Sequence, residues 1–216
     1  MTASLNQTAL LMIDFQRDFC AEGGYADHCG DDGVGWAREI IPAAQRLLKA
    51  ARQAGIFIVH TREGYAPDLS DCSAQRLARS AEAGAEIGSA GPLGRLLIRG
   101  EYGHDFVDEL QPLPGELIID KPTYGAFCRS QLEAFLQQRG ITHCVLCGVT
   151  ADVCVHTTLR EAIDRGFDCS YITDAISTFD PTLRRACEKM VLMEGGVWGS
   201  LTTSAGVIKT WAEARL

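Results

Sequence analysis

Three side chains able to do chemistry together sit at comparable places in this chain. Asp14 closes the apolar run Ala9 to Ile13, Lys121 follows the run 115–119, and Cys154 follows the run Thr142 to Cys147 through Gly148-Val-Thr-Ala-Asp-Val153. A free thiol has a pKa near 8.5, so at neutral pH it needs a base and a cationic or dipolar setting before it can attack a carbonyl. Asp14 can supply the base. Lys121 and the first turn of the helix that follows Gly148 can supply the field, and that placement favours a thiolate. Each residue alone has an ordinary reading: a small buried hydrophobe, a turn acid, a solvated lysine.

The elements that must position them follow from periodicity. Short apolar runs suited to strands occur at 9–13, 56–60, 115–119, 142–147, 169–173 and 200–202. Between them lie helical patterns: Trp36 to Ala54 closed by Gly55, Ser73 to Ala81, Ser130 to Arg139, Asp152 to Arg165, a helix opened by Asp180-Pro181 and running to Met193, and a terminal helix. A Gly- and Asp-rich loop ending at Gly35 is expected to act as a lid. The weakly periodic excursion from Thr61 to about Gly100 should shape a pocket or a subunit interface. Largely apolar strands alternating with helices imply an α/β fold, a three-layer sandwich with a six-stranded, mainly parallel sheet of Rossmann-like type. Ligands on such sheets bind at the carboxyl ends of the strands, where all three residues fall.

Composition narrows the function. A chain of 216 residues with 46% hydrophobic and 22% charged residues can bury one sizeable core, and a single domain over 1–216 is expected. The net charge of -8 with no basic cluster argues against nucleic acid, leaving small molecules or other subunits as partners. No apolar run is long enough to span a membrane and the first residues lack the features of a signal peptide, so a cytoplasmic protein is expected. Nine cysteines in that compartment read as thiols. The pair Cys144 and Cys147 stands three apart on a strand and points to opposite faces, which disfavours a redox or zinc site.

The chain resembles the isochorismatase-like cysteine hydrolases through four segments in order: Leu11-Met-Ile-Asp-Phe-Gln-Arg-Asp-Phe19, Lys121-Pro-Thr-Tyr-Gly-Ala-Phe127, Gly148-Val-Thr-Ala-Asp-Val-Cys-Val155 with Leu159 to Ala162, and Gly195-Gly-Val-Trp-Gly199. The resemblance implies a catalytic triad of Asp14, Lys121 and Cys154. It also implies a cis bond between Val149 and Thr150, and an oxyanion hole made by the backbone N–H groups of Thr150 and Cys154.

Within the superfamily, Cys154 disfavours a vinyl-ether hydrolase. His60-Thr-Arg-Glu-Gly-Tyr65 lacks the histidine spacing of nicotinamidase metal sites, so neither metal nor cofactor is expected. Further likeness in 60–64, Pro67 to Cys72 and Arg99 to His104 points to ureide amidohydrolases of the biuret and triuret type. Ureidoacrylate or N-carbamoyl amino acid hydrolases, a nicotinamidase-like amidase, and a catalytically silent binding subunit of the same fold stand as alternatives. Phe19 is expected to wall the pocket, Arg62 to meet a substrate carbonyl, and Glu194, where relatives often carry glutamine, to accept ureide N–H groups. His104 and His156 match no catalytic position and are read as structural. The resemblance also implies a homodimer or homotetramer.

Overall fold

The computed structural model describes residues 4–30 and 33–215. Residues 1–3 at the start, and Asp31 and Asp32 of the expected lid, lie outside them. Among the described residues there are eight strands: β1 Thr8–Ile13, β2 Phe57–Glu63, the two-residue pair β3 Ala90–Gly91 and β4 Gly94–Arg95, then β5 Leu117–Lys121, β6 His143–Val149, β7 Asp168–Ser177 and β8 Ser200–Thr202. The helices are α1 Arg17–Cys20, α2 Tyr25–His28, α3 Gly35–Arg38, α4 Ile41–Ala54, α5 Ala74–Glu82, α6 Leu132–Gln138, α7 His156–Asp164, α8 Pro181–Val191 and α9 Ser204–Glu213.

Six strands form one sheet in the order β5-β2-β1-β6-β7-β8, every pairing parallel. All six residues of β1 are buried, as a strand covered on both faces requires. The connection through α4 carries the chain from β1 outward to β2, whereas α7 carries it from β6 the opposite way to β7. With right-handed crossovers the two helices cover opposite faces of the sheet. The order therefore reverses between β1 and β6, and a crevice opens at their carboxyl ends. Asp14 leaves one of those strands and Cys154 follows the other.

Local chemistry explains several boundaries. Asp180 caps α8 by accepting a hydrogen bond from the Thr182 N–H at 2.6 Å, with Pro181 at the first turn. The pattern 36–54 divides into α3 and α4, the second opening with Pro42 in its first turn. Strand β2 runs three residues past the expected His60, because its end pairs Arg62 with Asp120 and Glu63 with Lys121 on β5. Residues Ala151–Val155 form a π-helical turn before α7, where an ordinary helix start is expected. No described helix is long and apolar enough to cross a membrane.

Candidate active site

The segment after β1 builds the floor of the crevice. Asp14 adopts a left-handed backbone conformation at φ 54°, which turns its side chain off the strand end. Thr61 Oγ1 donates to Asp14 Oδ1 at 2.5 Å, while the Asp14 N–H reaches the Thr61 carbonyl at 3.2 Å. The buried Gln16 then clamps the end of β2. Its Nε2 donates to the Glu63 carbonyl at 2.9 Å and its Oε1 accepts from the Glu63 N–H at 2.7 Å. Asp18 accepts from the Leu97 N–H at 3.0 Å and so ties the excursion to the same loop.

Lys121 is fully buried and holds three partners: Asp14 Oδ2 at 2.8 Å, the Tyr124 carbonyl at 2.8 Å and the Thr123 carbonyl at 3.0 Å. An ammonium has three hydrogens, so this set saturates it. Burial opposes its charge, but Asp14, Cys154 and Glu63 together outweigh burial and raise its pKa. Lys121 is therefore a fixed cation. Burial raises the pKa of Asp14 and Glu63 adds to the rise, with Lys121 and Thr61 pulling against them. Beyond the ion pair, Asp14 Oδ2 has no hydrogen-bond partner among the described residues, which leaves it free to take a proton.

Cys154 lies in the π-helical turn, held from behind by Thr158, whose hydroxyl donates to the Cys154 carbonyl at 2.7 Å and accepts from the Ala126 N–H at 3.1 Å. One residue thus links the nucleophile's turn to the loop after Lys121. Burial, with Asp14 and Glu63 adding to it, lifts the Cys154 thiol well above its ordinary range despite Lys121. That direction is opposite to the one a helix start alone would give. The Val149–Thr150 peptide bond is cis.

Glu63 is one residue that sequence reasoning missed, and Arg76 is another. Glu63 Oε2 accepts from Cys154 Sγ at 3.4 Å and lies 4.0 Å from Lys121 Nζ. Its Oε1 is bound by Arg76 from α5 and accepts from the Tyr65 hydroxyl at 3.4 Å. Alternation along β2 carried the signal, since Thr61 and Glu63 share one face and Arg62 the other. Asp14, Glu63 and Cys154 each offer one ligand atom within 4.8 Å of the others. The Lys121 ammonium already supplies the cation at that place.

In front of Cys154 opens a cavity of about 490 Å³, lined by Phe19 and Thr150 as well as Glu63 and Arg76. Its outer wall includes Tyr25 and Ala26 of α2, so the loop after β1 does cover the site. Arg62 and Glu194 are not brought to it. Arg62 faces the opposite side of β2, where Asp120 accepts from its Nε at 2.7 Å and Asp105 from its Nη1 at 3.1 Å. Glu194 is exposed on the turn between α8 and β8, in a left-handed conformation at φ 51°. Both departures are corrections: strand parity removes Arg62, and the outward turn removes Glu194. His104 and His156 lie outside the cavity lining.

Comparison with known proteins agrees with this architecture. Residues 8–199 match the family model described as the isochorismatase domain. The ureidoacrylate amidohydrolase RutB of Serratia proteamaculans is 34% identical over 72% of this chain, and the match covers 63% of that protein. The protein of the same name from Azorhizobium caulinodans is 31% identical over 79% of this chain and 74% of its own. Among solved structures, a cysteine hydrolase from Pseudomonas syringae pv. phaseolicola superposes with a TM-score of 0.84 at 24% identity, covering 99% of this chain and 96% of that one. N-carbamoylsarcosine amidase from Thermoplasma acidophilum gives 0.69 at 22% identity, covering 92% and 96%.

Proposed function

Since the chain belongs to the isochorismatase domain family, we propose that it is a cysteine-dependent amidohydrolase cleaving the C–N bond of a small ureide or carbamoyl compound. The observation that carries this reading is the buried Asp14–Lys121 ion pair at 2.8 Å, set behind the Cys154 S–H in the wall of a cavity that Cys29 also lines. Asp14 takes that proton as Cys154 Sγ attacks the carbonyl carbon. The tetrahedral oxygen rests on the N–H groups of Thr150 and Cys154. Asp14 returns the proton to the departing nitrogen, the C–N bond breaks, and a thioester remains. A water that yields its proton to Asp14 attacks the thioester, and the thiol is restored as the acid product leaves. Lys121, with all three hydrogens engaged, orients Asp14 and balances its charge.

Within that class the sequence resemblance favours biuret or triuret, and the RutB relatives favour ureidoacrylate as an alternative. The homodimer or homotetramer and the cytoplasmic location belong to the same proposal. The test is ammonia release from a panel of biuret, triuret, ureidoacrylate, N-carbamoyl amino acids and nicotinamide. Cys154→Ala should lower kcat by at least about 10⁴-fold with an unchanged circular dichroism spectrum. Turnover near that of the parent protein in this variant would remove the proposal.

A further inference from the structure

The cavity has two chemically unlike ends. Around Cys154 it is polar, whereas the remainder presents Phe19, Tyr25, Trp36, Val153 and Phe179. Phe19 and Tyr25 meet edge to face at 5.9 Å, so two of these rings hold each other in place. At about 490 Å³ the cavity falls in the range that takes a drug-sized ligand, and a molecule as small as biuret would leave most of it to water.

Among the described residues lining the cavity, the charged side chains are Glu63 and Arg76, and they are paired with each other. Every nitrogen of the Arg76 guanidinium is engaged: Nε donates to the Tyr65 hydroxyl at 2.9 Å, Nη1 to the Tyr124 hydroxyl, and Nη2 to Glu63. The Tyr124 ring also covers it, 4.2 Å from ring centroid to Cζ. An entering carboxylate would meet a guanidinium already matched and a second carboxylate beside it, and would give up its hydration to an apolar wall.

We propose that the cavity selects a neutral amide or ureide whose non-reacting end is an apolar, aromatic group, and discriminates against substrates that carry a carboxylate. This rests on the reading of Cys154 as the nucleophile and specifies what that nucleophile is offered. The reacting carbonyl would sit over Cys154, and the apolar end would lie between Tyr25, Trp36 and Phe179.

Ammonia release is measured for benzylurea, N-carbamoylglycine, ureidoacrylate and biuret, alongside calorimetric binding of benzylurea and N-carbamoylglycine to Cys154→Ala. Benzylurea should exceed N-carbamoylglycine in kcat/KM by about 100-fold, the scale on which an apolar pocket discriminates. Trp36→Ala should lower kcat/KM for benzylurea at least about tenfold and for biuret far less. Equal or better turnover of N-carbamoylglycine, ureidoacrylate or biuret overturns the selectivity and leaves the hydrolase reading standing. If no compound turns over while Cys154→Ala binds benzylurea in preference to N-carbamoylglycine, the hydrolase reading fails and the selectivity holds. Absence of that binding preference overturns the selectivity whatever the turnover.

Discussion

Lys121 is the residue on which the site's electrostatics turn. It faces two buried carboxylates, Asp14 at 2.8 Å and Glu63 at 4.0 Å. Removing one partner of a buried pair leaves the other charge uncompensated, so Lys121→Met should cost about 3–5 kcal/mol in urea unfolding and abolish ammonia release. Lys121→Arg does not repair it, because a planar fork cannot reproduce three diverging donors. A second, partly buried cluster contributes to the response to acid. Burial alone would raise the Glu116 pKa, but hydrogen bonds from Arg52, the Leu113 N–H and His60 bring it down to about 2 from an ordinary 4.5. A depressed carboxylate stabilises the fold above its unfolded value, and that contribution is lost as pH falls from about 4.5 through about 2. Urea midpoints followed across this window should fall steeply in the parent protein and less so in Glu116→Gln.

At the scale of elements, β2 shows what was legible in the sequence and what was not. The apolar run at 56–60 made the strand visible, and Asp14, Lys121 and Cys154 were visible because each follows such a run. Glu63 was not, because β2 continues beyond its apolar part as far as its pairing with Lys121, and that pairing lies in tertiary contacts. The same extension decides that Arg62 points away. Arg76 was hidden for a different reason: it stands on α5, 13 residues beyond Glu63 and inside the weakly periodic excursion. Its position depends on a local cap, since Ser73 Oγ accepts from the Arg76 N–H at 3.2 Å. Ser73→Ala should cost about 1 kcal/mol, lowering Tm by about 2–4 °C, and should weaken substrate binding more than it lowers kcat. Where β6 passes β1 the tolerance is smaller still. Gly148 has φ 137°, and a Cβ there would overlap the Ile13 carbonyl. Gly148→Ala should therefore destabilise the fold by more than about 4 kcal/mol and yield little soluble protein, measured by recovery after expression.

At the scale of the whole molecule, all nine cysteines are free, and Cys144 and Cys147 are both buried without a bridge. Cys29 and Cys128 are the exposed ones. Mass mapping after brief alkylation of the native protein should find those two labelled first and the buried set, Cys154 included, only on unfolding or in the presence of a reagent that enters the cavity. The arrangement also separates two kinds of information along the chain. Asp14, Lys121 and Cys154 are fixed by the sheet, whereas Tyr25, Trp36 and Arg76 come from the stretches between strands. Those stretches behave as exchangeable cassettes. A graft of the 21–40 loop from a relative, or a library confined to it, should change which ligands the cavity accepts while Asp14, Lys121 and Cys154 are inherited unchanged, and this divided layout is the kind of architecture from which new specificities diverge.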